Sequence, residues 1–331
     1  MYRRTLLAGL GAATAVSGAG LWRAAVAGAP LRIAIVAKSL GIGFFNAVHV
    51  GGDEAAKSIG GIEVIFTGPT NTAAENQIDV INALIAQHVD AIAISANDPD
   101  ALVPACKRAL QRGIKVVTYD STVAGGRLLY LADATDEQVG ATCNKLASDA
   151  CGGKGKMAIV SATVTSTNQN AWIAAMKKAL PQTPGLDLVA TVYGDDLSDK
   201  SYREATALLQ KYPDLAVIVA PSTVGITASA KAVEDAGKTG KVFVTGLGLP
   251  SECAGAVAKG TIKSFAIWNP VDIGYAVVQI SHALIKGTGG AGESIDAGRI
   301  GKIAFDAEGN GTLGVPTVYD KSNIEAAAKL F

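Results

Sequence analysis

Short runs rich in isoleucine and valine alternate with longer helical segments along this 331-residue chain, and the alternation restarts midway. In the first half, residues 31–37, 62–67, 91–95 and 115–118 read as strands, with helices expected over 44–59, 73–87 and 99–112. Strands that are apolar throughout cannot show one face to water, so this pattern predicts a parallel sheet covered by helices on both sides. Thr72 followed by Glu75 reads as a capping box for the second helix, whose inward stripe is Ile78, Ile81, Ala83, Leu84 and Ile85. Gly113 is placed to close the third helix in a left-handed conformation.

The second half repeats the pattern with strands over 157–161, 186–193, 215–220 and 241–245, and helices over 167–180, 199–211, 225–236 and 251–259. A further strand, 262–267, leads to a helix over 271–285, and the tail 300–319 holds short extended pieces around Gly309, Gly311 and Pro316. Two successive units of similar size predict an α/β protein of two lobes, each a doubly wound parallel sheet. Ligands of such sheets gather at the carboxyl ends of the strands. That rule selects residues 38–46, 95–98, 120–121, 161–170, 221–223, 246–250 and 268–269.

Aromatic residues are only 5% of the chain, yet Phe44, Phe45, Trp172 and Trp268 all fall at or near these strand ends. Beside them stand Lys38, Asp120, Asn168, Gln169, Thr223 and Asn269. Aromatic faces next to fixed carboxylates and amides suit a polyhydroxylated ligand, because ring C–H groups stack while each hydroxyl both donates and accepts. A carboxylate such as Asp120 can accept from two adjacent hydroxyls. Lys38, directly after a buried strand, needs an acid or a ligand to offset its desolvation. Several positions fit two readings. Phe44 and Phe45 suit a pocket wall or a helix core, and Trp172 suits a ligand contact or lobe packing. One residue of the run 168–170 is expected to cap a helix, and Asn97-Asp98 before Pro99 looks first like a helix start.

Catalytic signals are weak. His49, His88 and His282 fall within expected helices, and no G-x-S-x-G elbow is present. Gly41-Ile-Gly43 is like the start of a dinucleotide loop, but Asn46 replaces the third glycine and Phe44-Phe45 would crowd a pyrophosphate. No cysteine–histidine cluster suggests a metal, and no cofactor is expected. Cys106, Cys143, Cys151 and Cys253 read as packed thiols. With 29 basic against 29 acidic residues and no charge run, nucleic acid is not an expected partner.

Residues 1–27 follow a different rule. Arg3 and Arg4 precede an uncharged apolar run, and Ala25-Val26-Ala27 forms an A-x-A cleavage site, the order of an export signal. The adjacent arginines fit the twin-arginine route, although the residues around them match its consensus loosely. Cleavage would remove three arginines and no acid, leaving 26 basic and 29 acidic residues and a net charge of −3.

The segments 36–45 (VAKSLGIGFF), 118–121 (TYDS), 167–172 (TNQNAW), 220–225 (APSTVG), 244–252 (VTGLGLPSE) and 265–275 (FAIWNPVDIGY) carry a resemblance. The chain resembles the periplasmic sugar-binding proteins of ABC importers with the ribose-binding-protein type of fold. Within them it is most similar to the rhamnose-binding proteins and the autoinducer-2 receptors. The resemblance implies a type I periplasmic binding protein, with two lobes joined by three crossover hinge strands. It implies a first lobe of residues 30–132 plus 267–297 and a second of 133–266 plus 298–331. It further implies a monomer in the periplasm that binds a monosaccharide, hands it to a membrane permease and performs no chemistry. The ligand residues of the autoinducer-2 receptors match Lys38, Asp120, Gln169 and Pro221 with Thr223 nearby, while Asn168 replaces their acid. The paired aromatics of the wider family match Phe44 and Phe45, and its last-crossover contact corresponds to Trp268 and Asn269. Gly248 stands where ribose-binding proteins carry an acid, which argues against ribose and leaves a rhamnose-like deoxy sugar as the expected ligand.

Overall fold

The computed structural model describes residues 29–331, so the expected export signal at 1–27 lies outside the described residues. The first unit runs β1 (Leu31–Val36), α1 (Gly43–Ile59), β2 (Ile62–Thr67), α2 (Ala74–Ala86), β3 (Ala91–Ile94), α3 (Val103–Gln111), β4 (Lys115–Tyr119) and β5 (Leu129–Ala132). The second runs α4 (Asp136–Cys151), β6 (Gly155–Ser161), α5 (Thr167–Ala179), β7 (Leu186–Tyr193), α6 (Ser198–Lys211), β8 (Leu215–Ala220), α7 (Thr223–Asp235), β9 (Phe243–Gly246), α8 (Pro250–Lys259) and β10 (Ser264–Ile267). The chain ends with α9 (Pro270–Lys286), β11 (Ser294–Asp296), β12 (Lys302–Ala304), β13 (Asn310–Thr312), β14 (Thr317–Asp320) and α10 (Ile324–Ala327).

Both sheets are parallel and doubly wound, as the apolar strands predicted. The first has the order β2-β1-β3-β4-β5-β13 and the second β7-β6-β8-β9. Bridges from Val244 to Ile262 and from Leu247 to Ala266 attach the antiparallel pair β10-β14 beside β9. Side chains alternate across the first sheet. Ile33 and Ile35 pack in the cluster that includes α1 and α9, while Ala34 and Val36 pack in the cluster that includes α2 and α3. In the second sheet Met157 and Ile159 face one layer, and Ala158 and Val160 the other. Burying each such isoleucine contributes about 1.5–3 kcal/mol.

Some local expectations fail for identifiable reasons. Thr72 does not cap α2: its hydroxyl donates to the Asp195 carbonyl of the second lobe at 3.1 Å, and Asn71 Oδ1 accepts from Ala73 N instead. In α2 the fully buried positions are Gln77, Ile81 and Leu84, whereas Ala83 is exposed. Helix α3 begins at Val103, because Asp98 turns the chain first by accepting from Asp100 N and Ala101 N. Gly113 does take the left-handed conformation after α3 (φ +82°). Strand β5 carried no sequence signal, since no helix separates it from β4. The expected placement of 298–312 in the second lobe is incorrect. β13 pairs in parallel with β5 at the edge of the first sheet, so the chain leaves that sheet only after Thr312. Three residues are too few for periodicity to assign them; register with β5 decides.

Candidate ligand-binding site

In both sheets the winding direction reverses at the central strand, between β1 and β3 and between β6 and β8, and the crevices there face one another across the lobes. Lys38 follows β1 with only 4% of its surface exposed. Its loop is held from behind: Asn97 Nδ2 donates to the Lys38 carbonyl, and the buried Gln77 donates to the carbonyls of Ala37 and Ser95 while accepting from Asn97 N. Sequence pattern alone does not single out Gln77. A polar residue on the apolar stripe of a helix was the available signal.

Asp120 follows β4 in a left-handed conformation (φ +56°), which aspartate tolerates better than most residues. Its carboxylate accepts from Ser95 Oγ at 2.6 Å and from Asn168 Nδ2 at 2.6 Å, and lies 3.3 Å from Lys38 Nζ. Lys38 Nζ donates in turn to Ser166 Oγ and Asn168 Oδ1, both at 3.1 Å. Asn168 therefore joins the buried acid and base of the first lobe with the two ends of one amide. Gln169 accepts from Ser161 Oγ and Ala162 N, which commits its oxygen and leaves its NH2 as the available donor.

Around this polar floor, Lys38, Phe44, Phe45, Asp120, Asn168, Gln169, Pro221, Thr223 and Trp268 line one cavity of about 420 Å³. Phe44 and Phe45 meet edge to face with centroids 5.2 Å apart, as do Trp172 and Trp268 at 5.6 Å, so two aromatic pairs wall the space. Trp172 lines it as well.

Asn269, expected at the site, does not line it. Its side chain accepts from Val271 N and caps α9, because Pro270 starts that helix directly after it. Conversely, Asp196 and Ser222 line the cavity and were not anticipated. Asp196 follows β7, a strand end to which the carboxyl-end rule applies equally. Ser222 Oγ donates to Asp196 Oδ1 at 2.6 Å while accepting from Gly225 N as the cap of α7. Burial raises the Asp196 carboxyl above the usual range, against the pull of Lys38 and the Ser222 bond.

All four cysteines are free thiols, and burial pushes those of Cys106 and Cys143 up to about 12. Among the described residues no group of three or more His, Cys, Asp or Glu is placed to hold a metal. No described helix is long and apolar enough to cross a membrane.

A cleft between two doubly wound lobes, closed on a polar floor, is the arrangement found in one large group of proteins. Residues 33–289 match the periplasmic binding protein domain. The chain belongs to this family. Periplasmic binding proteins of this kind are substrate-binding components of transporters and not enzymes, in keeping with the weak catalytic signals in the sequence. A solute-binding protein of an ABC transporter from Clostridium phytofermentas, solved with bound L-rhamnose, is 36% identical, with 91% of this chain and 99% of that chain covered and a TM-score of 0.86. A sugar ABC transporter protein from Actinomyces odontolyticus is 38% identical, covering 89% and 96% with a TM-score of 0.71. The D-allose-binding periplasmic protein of Escherichia coli is 28% identical over 264 residues, 77% of this chain and 85% of that protein.

Proposed function

We propose that this periplasmic binding protein captures a monosaccharide, with a deoxy sugar such as L-rhamnose favoured, and delivers it to the permease of an ABC importer by hinge closure. The observation that carries the reading is the buried chain Lys38–Asp120–Asn168, which spans the two lobes at the floor of an aromatic-walled cavity. Asp120 accepts from adjacent sugar hydroxyls, Lys38 and Gln169 donate, and the Phe and Trp pairs pack the apolar faces and the methyl group. Pro221 and Thr223 complete the second-lobe wall.

Two residues support the deoxy-hexose reading over others. An aspartate at 168 could not donate to Asp120 as Asn168 does, so the autoinducer-2 set is not reproduced. An acid at 248 has no room, because a Cβ added to Gly248 would lie 2.5 Å from Cys253 Sγ. That disfavours ribose. The L-rhamnose bound by the Clostridium relative points the same way.

Isothermal titration of the mature protein against deoxyhexoses, pentoses and polyols tests the proposal. L-rhamnose is expected to bind most tightly. No heat with any of them would refute the sugar assignment.

A further inference from the structure

Asp133 stands at the carboxyl end of β5, beside Asp120 at the end of β4, where the chain leaves the first lobe for α4. It does not line the cavity, yet only 2% of its surface is exposed. Neither of its carboxyl oxygens receives a hydrogen bond from any described residue. β4 pairs with β5 in parallel and Asp120 N donates to the Leu131 carbonyl at 3.1 Å, so the two acids stand at neighbouring strand ends. Two buried carboxyl groups at neighbouring strand ends repel when both are charged, and can hydrogen-bond only when one carries a proton.

The remaining titratable groups nearby are Lys38, Tyr119 and Tyr130, with Asp196 facing Lys38 and Asp120 from the second lobe and Asp136 beside Tyr130. Both phenols spend their protons elsewhere: Tyr119 donates to the Val36 carbonyl and Tyr130 to the Asp120 carbonyl. Lys38 contacts Asp120, Ser166 and Asn168. Three donors thus converge on Asp120 and none on Asp133, which locates the charge on the first and the proton on the second. Burial, and then the charge of Asp120 and the bond to it, push the Asp133 carboxyl well above the usual carboxylate range, with Lys38 opposing.

We propose that Asp133 is a positioning residue: a neutral acid whose O–H donates to the Asp120 carboxylate and ties the ligand-binding acid to the hinge. The role in binding rests on the reading of Asp120 as a sugar contact; the proton does not. Ionising Asp133 would set two adjacent negative charges against a single lysine and push Asp120 away from Ser95 and Asn168. Affinity therefore falls as pH rises.

Two measurements on the mature protein test this, each with wild type and Asp133→Asn, an isostere that keeps an N–H donor and does not titrate. Infrared spectra without ligand at neutral pH should show a protonated-carboxyl C=O band that Asp133→Asn lacks and Asp196→Asn retains. Fluorescence titration with L-rhamnose should show wild-type affinity dropping on the alkaline side, approaching about tenfold per pH unit once Asp133 ionises. Asp133→Asn should stay level over that range. An infrared band unchanged in Asp133→Asn, or equal pH slopes in the two proteins, would overturn the proposal. A band that behaves as expected with no response to L-rhamnose would support the acid pair and remove only the sugar reading.

Discussion

Asp120 combines two constraints that separate substitutions can pull apart. Its backbone is left-handed, and its carboxylate is the counter-charge of a lysine that is 4% exposed. Removing one partner of a buried pair costs about 3–5 kcal/mol, because the other charge stays buried alone. Asp120→Ala should therefore lower unfolding free energy by about 3 kcal/mol in a urea titration and weaken L-rhamnose binding by at least about 100-fold. Asp120→Asn keeps the left-handed preference and the shape. It should recover most of the backbone term and little of the affinity; equal stability for the two variants would refute the account. Lys38 and Asp120 were legible in the sequence because a charge directly after a buried strand demands a partner. Asn269 was legible only as a polar residue near a strand end, and whether it faced a ligand or a helix end depended on the turn into Pro270.

At the scale of elements, the close crossing of α1 and α9 makes a sharp prediction. A Cβ on Gly274 would stand 1.7 Å from the Val48 carbonyl oxygen, and one on Gly51 1.8 Å from that of Val271. Both obstacles are backbone, so no rotamer change relieves them. Gly274→Ala should force the helices apart and cost about 3 kcal/mol, at the upper end of ordinary overpacking, read as a lower urea midpoint. A midpoint matching wild type would show that the crossing is looser than described. Helix caps show how local signals succeed and fail. Thr135 and Gln138 form a full capping box at α4, whereas Thr72 and Glu75 carry a similar pattern at α2 and form none. The difference is tertiary: the Thr72 hydroxyl has a carbonyl of the second lobe within reach.

Across the whole molecule, the closure proposed above would rest on few bonds. Lys38 to Ser166 and Asn168, Asn168 to Asp120, Thr72 to the Asp195 carbonyl, Thr165 to the Asn97 carbonyl and Thr167 to the Thr122 carbonyl all cross between lobes. Each neutral bond contributes about 1 kcal/mol to the closed state, so none dominates. Thr165→Val removes one of them at the rim without entering the cavity lining. It should raise the radius of gyration of the sugar-free protein in X-ray scattering, leave the sugar-saturated value unchanged and weaken affinity roughly fivefold. An unchanged sugar-free radius together with unchanged affinity would show that closure does not depend on this contact.

The alternation of apolar runs with helices was sufficient by itself to determine two doubly wound parallel sheets, because burial on both faces leaves a continuous apolar strand no other place. The strand-end rule then brought Lys38, Phe44, Phe45, Asp120 and Asn168 together, since winding topology follows from the order of elements. What the sequence could not carry was anything set by reach between distant segments. β13 joined the first sheet through register with β5. Thr72 turned from its own helix to the opposite lobe. Asp133, an acid with no strand assigned before it by sequence alone, came to stand beside Asp120 only when β4 and β5 lay side by side. Periodicity reports which face of an element is buried; only the packed structure decides which neighbour it is buried against.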